Sequence, residues 1–135
     1  MTTVQVGDVK EVVLTEEVTR TQLVQYSGAS GDYNPLHSDE RFATEVAGYP
    51  SVFAHGMLTM GMSGRVLTDW FGPEALLAYG VRFVAQVWPG DRLTTTATVS
   101  ALREQDGVPV ADLTVSATNQ DGPIVLSGTA TARLD

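Results

Sequence analysis

The stretch GMLTMGMSGRVLTDWF, residues 56–71, decides the fold. It has the length of a helix, and its large apolar residues leave little of a helical circumference polar: Met57, Leu58, Met60, Met62, Val66, Leu67, Trp70 and Phe71. A helix that is apolar on nearly all sides has to be buried. At a rise of 1.5 Å per residue it would extend for about 20 Å, which is the width of a small curved sheet. We therefore expect one long buried helix with a sheet wrapped around it.

Downstream of this helix, apolar and polar residues alternate with the period of two that is typical of half-buried strands. Three such runs cover residues 92–101, 111–117 and 124–134. Their predicted inward-facing residues are Leu93, Thr95, Ala97, Val99 and Ala101; Ala111, Leu113, Val115 and Ala117; Ile124, Leu126, Ala130, Ala132 and Leu134. The turn signals PGD, DG and DG separate the runs. Together with a strand at Tyr79–Trp88, they predict a four-stranded antiparallel meander joined by short hairpins.

Two shorter helices precede the long one in this prediction. Residues 19–22, TRTQ, fit a capping box, so the first helix begins at Thr19 and ends at the glycines that follow. Its expected apolar face consists of Leu23, Val24 and Tyr26. A second short helix covers 40–46, where the Asp39 side chain can cap it. The predicted fold class is α+β: a single domain, residues 1–135, in which an antiparallel sheet of about five strands wraps around one buried helix.

Composition narrows the classes of function. Eight basic and sixteen acidic residues give a net charge of −8, which argues against nucleic acid or an anionic membrane as a partner. The absence of cysteine excludes disulfides, thiolate metal sites and a cysteine nucleophile. The first residues, MTTVQVGDVKEVV, do not resemble a secretory signal, and no apolar run is long enough to span a membrane, so we expect a cytoplasmic protein.

Residues 26–43, YSGASGDYNPLHSDERFA, carry more chemical groups than a connection needs. Asp32 and His37 lie five positions apart on one irregular loop, where a carboxylate and an imidazole can converge on one water. Such a pair can move protons to and from a substrate, which suits hydration, dehydration or hydrolysis. Alternatively, Asp32 satisfies loop amides, Asn34 begins an Asx-turn and His37 bonds the backbone, because these are common roles of such residues in turns.

A second unusual stretch, FAHGM at residues 53–57, leads directly into the apolar helix. Backbone amides at the start of a helix are free donors at the positive end of its dipole, so the Gly56 amide is a candidate for polarising a substrate carbonyl. The alternative is that Gly56 only permits a close chain passage. We expect His55 to be a hydrogen-bonded structural residue and the helix methionines to form packing surface, not a metal site.

These residues resemble a known family. Its hydratase-2 signature matches SGDYNPLH at residues 30–37, and later blocks match AHGM, VRF and PGD in the same order. The chain is thus similar to the MaoC-like, or R-specific enoyl hydratase, family of hot-dog folds. The blocks SGDYNPLH and AHGMLTMG are also similar to the catalytic subunits of actinobacterial 3-hydroxyacyl-ACP dehydratases.

The resemblance implies a function and roles for individual residues. Asp32 and His37 would be the catalytic dyad, Asn34 would orient it, and the Gly56 amide would polarise the thioester carbonyl. The reaction would be reversible hydration of a trans-2-enoyl thioester, carried by CoA or ACP, to the (3R)-3-hydroxyacyl thioester. We expect neither a metal nor a cofactor. Three arginines, Arg41, Arg65 and Arg82, are candidates for contact with carrier phosphates, and surface ion pairing is the alternative for each.

Other classes of function stay open at this point. A thioesterase of the hot-dog class would direct the carboxylate and water at the carbonyl instead of the double bond. A non-catalytic partner subunit would only shape an acyl tunnel, and a binding module would hold the thioester without turnover. In each case we expect at least a dimer, either a homodimer or a heterodimer with a related chain, because one sheet covers only one side of the apolar helix and leaves edge strands unpaired.

Overall fold

The computed structural model describes residues 2–135, which form one five-stranded antiparallel sheet and two main helices. In chain order these are β1 (Val9–Thr15), α1 (Arg20–Ser30), α2 (Gly56–Phe71), β2 (Leu76–Phe83), β3 (Leu93–Gln105), β4 (Val108–Thr118) and β5 (Ile124–Arg133). The strands are arranged in the order β1-β3-β4-β5-β2. Short helical turns occur at Pro35–His37, Phe42–Val46 and Pro73–Ala75. The α+β class, the five strands and the long helix are as predicted.

The period-two pattern predicts the inner face of β4 correctly and that of β3 as far as Val99; Ala101 is only half-buried, next to a register shift in the β3–β4 pairing. The alternate residues Leu93, Thr95, Ala97 and Val99 are buried, as are Ala111, Leu113, Val115 and Ala117. In β5 the pattern fails at the start: Ile124 is 46% exposed, whereas Val125 and Leu126 are both buried. The reason is a register shift in the β4–β5 pairing next to Ala117, which moves one residue out of phase with the sheet.

The predicted four-stranded meander is wrong in one connection. Only β3, β4 and β5 follow one another through hairpins; β2 pairs with β5 instead of β3, and β1 pairs with β3. The backbone amides of Val84 and Ala85 both bond the carbonyl of Val125, so the chain after β2 crosses the end of the sheet and makes no hairpin. Gly128 permits the β2–β5 approach, since a Cβ at this position would overlap the carbonyl oxygen of Gly80.

The helix α2 lies across the sheet with one side buried. Its buried residues are Thr59, Ser63, Val66, Leu67 and Phe71. One close approach to the sheet is at Gly64, where an added Cβ would lie 3.1 Å from the Tyr79 ring, while the Tyr79 hydroxyl donates to the Met60 carbonyl at 2.8 Å. The opposite side is open, and Met57 is 56% exposed. Burial on nearly all sides, as the sequence predicts, is therefore not achieved within one chain.

The segments before α2 form mostly as predicted. Thr19 caps α1 with the full capping box, and the helix ends at Gly31, whose φ of 77° is left-handed. Of the expected apolar face, Leu23 is fully buried but Val24 is 55% exposed. The second short helix also forms, with the Asp39 carboxylate accepting from the Phe42 amide; its Phe42–Val46 turn has π-helical winding. Among residues 2–135, no helix combines the length and apolar character needed to cross a membrane.

Candidate active site

The loop between α1 and the turn at Pro35–His37 is built by short-range hydrogen bonds. The Asp32 amide donates to the Ser30 hydroxyl at 3.1 Å, and the Asn34 amide donates to one carboxylate oxygen of Asp32 at 3.2 Å. The Asn34 side-chain oxygen then accepts from the Leu36 amide at 3.0 Å and caps the turn. The turn roles of Asp32 and Asn34 that the sequence suggested as an alternative are thus present, and they fix the loop that carries the proposed dyad.

The His37 side chain is buried beneath this loop with a defined tautomer. Its Nδ1 lies 2.7 Å from the carbonyl oxygen of Phe53, and a carbonyl only accepts, so Nδ1 carries the proton. The lone pair is therefore on Nε2. One side-chain atom each from Asp32, His37 and His55, chosen from the carboxylate oxygens and ring nitrogens, all lie within 4.8 Å of one another. The two predicted dyad residues are brought together with a gap that one water can bridge, since each of its hydrogen bonds spans about 2.8 Å.

Asn34 is connected to His37 through the backbone of the turn. Its side chain caps the turn that ends at His37, and it makes no hydrogen bond to the imidazole among the residues that the structure describes. This turn also fixes the His37 amide, which donates to the Asn34 carbonyl at 3.1 Å. An orienting effect of Asn34 on His37 would therefore pass through the turn geometry.

His55 is buried beside the two predicted dyad residues, and it is hydrogen-bonded as the sequence suggests. Its Nε2 lies 3.0 Å from the Ser27 hydroxyl and 3.2 Å from the carbonyl oxygen of Asp32. Burial is the main cause that lowers the pKa of His55 below its ordinary value, and the nearby His37 acts in the same direction, while the Asp32 carbonyl and charge oppose it. The ring also stacks on His37, a contact that the sequence analysis missed, because no local pattern reports contacts between distant loops.

Gly56 begins α2 and lines a cavity of about 260 Å³. The other walls are Phe53, Ala54, Thr59, Phe83, Val84, Ala85, Gln86, Val87 and Val125. A Cβ on Gly56 would lie 3.0 Å from the ring of Phe83, so a larger residue would encroach on this space. The residue that carries the predicted backbone donor therefore borders a cavity large enough for part of a small acyl group. Asp32 and His37 do not line it themselves; His37 adjoins it through Phe53, whose carbonyl accepts from the imidazole.

The three grouped side chains also bear on metal binding, for which carboxylate and imidazole are common ligands. Two of the four ring nitrogens, His37 Nδ1 and His55 Nε2, face backbone carbonyls and therefore carry protons. A metal ligand needs an unprotonated nitrogen. The two nitrogens that keep a lone pair are His37 Nε2 and His55 Nδ1, and the latter is buried without a hydrogen-bond partner among residues 2–135. The acceptors of Asp32 and His37 are thus a carboxylate and one imidazole lone pair, and this arrangement suits proton transfer through water.

Curated relatives of this chain include hydratases. It is 37% identical to the enoyl-CoA hydratase ChsH3 of Mycobacterium tuberculosis over 101 residues, which are 73% of this chain and 32% of that protein. It is 29% identical to the (R)-specific enoyl-CoA hydratase of Aeromonas caviae over 123 residues, 90% of each protein. The chain spans only 24–33% of the length of three curated relatives that it matches, of which ChsH3 is one.

Solved structures share the fold over nearly the whole chain. The (R)-hydratase from A. caviae superposes with a TM-score of 0.85 at 28% identity and covers 98% of both chains. A chain of the ChsH1-ChsH2 complex from M. tuberculosis superposes with a TM-score of 0.82; at 22% identity this likeness concerns the fold alone. Residues 3–121 match the family model described as MaoC like domain, and since this match takes in most of the sequence, the chain belongs to the MaoC-like family with its hot-dog fold.

Proposed function

We propose that this chain catalyses the reversible hydration of trans-2-enoyl thioesters to (3R)-3-hydroxyacyl thioesters. The observation that carries the proposal is the grouping of the Asp32 carboxylate and the His37 imidazole within 4.8 Å, in a MaoC-like chain. The Gly56 amide at the start of α2, which lines a cavity, supports it. The stereochemistry is taken from the (R)-specific relatives.

The tautomer of His37 suggests the direction of proton transfer. Because Nε2 has the free lone pair, it takes a proton from the water held between His37 and Asp32, and the water oxygen bonds to the β-carbon. The electron pair of the double bond moves toward the thioester carbonyl. The α-carbon then receives a proton from the dyad, so one water is added with no net change in protons. Dehydration runs through the same steps in reverse.

Negative charge develops on the thioester oxygen during this reaction, and we assign its stabilisation to Gly56. The Gly56 amide is the first of α2, where donors are unpaired and the helix dipole is positive. Removing one such donor typically costs about 3 kcal/mol of transition-state stabilisation. The thioester carbonyl would therefore lie at the mouth of the cavity, with the acyl chain inside it.

A test uses crotonyl-CoA with two signals recorded together. Hydration removes the enoyl absorbance and leaves the thioester intact, whereas a thioesterase releases free thiol. We expect loss of enoyl absorbance without thiol release. Release of thiol at the same rate would favour the thioesterase, and binding of the thioester with neither signal would favour the binding module or the non-catalytic subunit.

The carrier and acyl length are narrower proposals. Arg41 pairs with Glu45 at 2.9 Å, and Arg65 lies in a groove between β1 and α2, whereas Arg82 is exposed on β2, one position before Phe83, which lines the cavity. We therefore assign the carrier phosphate to Arg82. A cavity of about 260 Å³ suits short or medium acyl chains. Kinetics over a series of acyl lengths on both CoA and ACP test both assignments, and Arg82→Ala is expected to raise KM more than it lowers kcat.

The assembly that we propose pairs two chains through β2. This strand is at an edge of the sheet, and it exposes Leu77 and Phe83. Residues 83–85 at its end also line the cavity, so a second chain paired there would complete the cavity wall. The partner is a second copy or a related chain, as in the two-chain complex among the structural neighbours.

A further inference from the structure

One buried imidazole touches three parts of the site that the proposed mechanism uses separately. The His55 ring is 1% exposed and stacks on the His37 ring, with centroids 3.9 Å apart and planes inclined by 24°. Its Nε2 reaches the carbonyl oxygen of Asp32 at 3.2 Å. It is also the residue immediately before Gly56, at the N-cap of α2. The dyad and the backbone donor thus share one side chain as a neighbour.

The hydrogen-bond partners fix the state of this ring. Since the Asp32 carbonyl can only accept, Nε2 carries a proton and donates to it, and the Ser27 hydroxyl at 3.0 Å shares the same donor as an acceptor. The other nitrogen, Nδ1, is buried and has no hydrogen-bond partner among residues 2–135. A second proton there would be a buried unpaired donor on a charged ring, which is costly. The ring is therefore neutral, in agreement with its lowered pKa.

We propose that His55 is a positioning residue of the dyad: its hydrogen bond holds the main chain of Asp32, and its face holds the ring plane of His37. His55 is the N-cap of α2, and the Gly56 amide is the first of the same helix. His55 thus fixes the distance between the Asp32–His37 pair and the Gly56 amide. The expected loss of kcat rests on the proposed function, whereas the expected change in the Asp32 loop does not.

The geometry goes beyond what packing alone requires. A buried apolar residue would fill the same volume without an unpartnered nitrogen, whose burial is unfavourable. One of the two acceptors that share the Nε2 proton is the carbonyl of Asp32 itself, and the other is the Ser27 hydroxyl. Small displacements of reacting groups have large kinetic effects, since a misplacement of about 1 Å can cost a hundredfold in rate.

Two substitutions separate the two contacts. His55→Phe keeps an aromatic face against His37 but loses the donor to Asp32, and His55→Gln keeps a donor amide but loses the ring. Ser63→Ala is the matched control, because Ser63 is equally buried in α2 and loses a side-chain hydrogen bond of similar length, 2.9 Å to Thr95, away from the dyad. Each protein is assayed for crotonyl-CoA hydration as kcat and KM, with the folded fraction measured by circular dichroism.

We expect both His55 variants to lose at least about tenfold in kcat with KM within about twofold, because an interaction that acts only on transition-state geometry changes kcat. The Ser63→Ala control is expected to keep kcat within about twofold, even if its melting temperature falls by as much as that of the His55 variants. The proposal is overturned if His55→Phe keeps more than half of the wild-type kcat. It is equally overturned if Ser63→Ala loses as much kcat as the His55 variants.

Hydrogen exchange of the unliganded protein gives a readout that does not need activity. The amides of Asn34 and Leu36, which bond within the Asp32 loop, are expected to exchange at least about tenfold faster in His55→Phe than in wild type, because the loop opens more often. Ser63→Ala should leave them unchanged. If wild type does not hydrate crotonyl-CoA, the proposed function fails while the exchange rates still decide the positioning role. Unchanged exchange in His55→Phe would refute that role.

Discussion

Asp32 and His37 are held by the backbone around them and not by a direct bond to each other. The Phe53 carbonyl fixes the imidazole, and the Asn34 amide fixes one carboxylate oxygen. The proposed proton transfer needs the carboxylate and the imidazole, whereas the two hydrogen bonds that hold them can also be made by side-chain amides of similar shape. Substitutions that keep the shape of either side chain are expected to leave the loop in place.

The first prediction concerns these two groups. Asp32→Asn and His37→Gln are each expected to lower the rate of crotonyl-CoA hydration by at least about a hundredfold, because each removes a positioned acid or base. Circular dichroism should show the wild-type fold. The control is Glu45→Gln, which neutralises an exposed carboxylate near the same segment and is expected to keep full activity. A folded variant that retains more than about a tenth of wild-type turnover removes that residue from the dyad.

The second prediction follows from the lowered pKa of His55, whose neighbours are His37, Asp32, Tyr26 and Ser27. In the unfolded chain a histidine titrates near its ordinary pKa of about 6.5, so on acidification the unfolded state takes up the proton first. The free energy of unfolding should therefore fall as the pH drops below that value, until the folded pKa is passed.

Urea unfolding of wild type and His55→Phe at about pH 7.5 and about pH 5.5 measures this effect. The loss of stability between the two conditions is expected to be smaller in His55→Phe, since phenylalanine does not titrate. Equal losses in both proteins would show that His55 does not contribute to the acid sensitivity.

At this scale the sequence located Asp32, His37 and Gly56 through local motifs, and the structure supplies their surroundings. The stacking of His37 on His55 joins residues that are eighteen positions apart, and no periodic pattern reports such a contact. The exposure of Val24 and Ile124 was also missed. Each depends on which neighbouring element covers the position, and a single-residue pattern does not contain that information.

At the scale of elements, the start of α2 combines a backbone donor with a tight contact. The third prediction is that Gly56→Val lowers turnover strongly, because its side chain would meet the Phe83 ring and enter the cavity. Gly61→Ala in the same helix is the control: nothing lies within 4 Å of its Cβ, so it should keep activity and gain up to about 1 kcal/mol of stability.

Adding Phe83→Ala to Gly56→Val separates the two effects of that substitution. The double variant relieves the collision with the ring, so its melting temperature is expected to recover. Turnover should stay low if the valine obstructs the thioester carbonyl. Recovery of full turnover together with stability would show that a side chain at position 56 does not obstruct the thioester carbonyl.

The fourth prediction concerns the β2–β5 pairing. A Cβ on Gly128 would overlap the Gly80 carbonyl and lie 2.8 Å from the Val81 Cα, so Gly128→Ala is expected to destabilise the protein by about 1–3 kcal/mol. Gly80→Ala, whose Cβ has no neighbour within 4 Å, should change stability much less. Urea unfolding compares the two variants, and equal midpoints would contradict the close approach.

The elements predicted from sequence were those with a strong periodic signal. Strands β3 and β4 alternate clearly because one face packs on the core, and α2 is long and apolar. The edge strand β1 was not located, since most of its residues are exposed and its pattern does not alternate. The predicted partner of β2 is wrong, because sequence neighbours usually pair, whereas β2 lies beside β5, where Gly128 permits the close approach.

At the scale of the whole molecule, one chain leaves an apolar edge and an apolar helix side uncovered. Met57, Leu77, Phe83 and Val84 are each at least 44% exposed. The fifth prediction is that the working unit contains at least two chains, because pairing through β2 would bury this surface and complete the cavity wall. Sedimentation at micromolar concentration should show a dimer. A chain that is monomeric and fully active alone would contradict the shared cavity, and activity only after addition of a related chain would indicate a heterodimer.

The central claim is that Asp32 and His37 act as one unit on a single water, and a double-mutant cycle tests it most directly. The measurement is kcat/KM for crotonyl-CoA hydration by wild type, Asp32→Asn, His37→Gln and the double variant. Groups that act as a unit are strongly non-additive, so the double variant is expected to match the slower single variant within about threefold. Multiplication of the two losses to about ten-thousandfold, as for independent sites, would contradict the account.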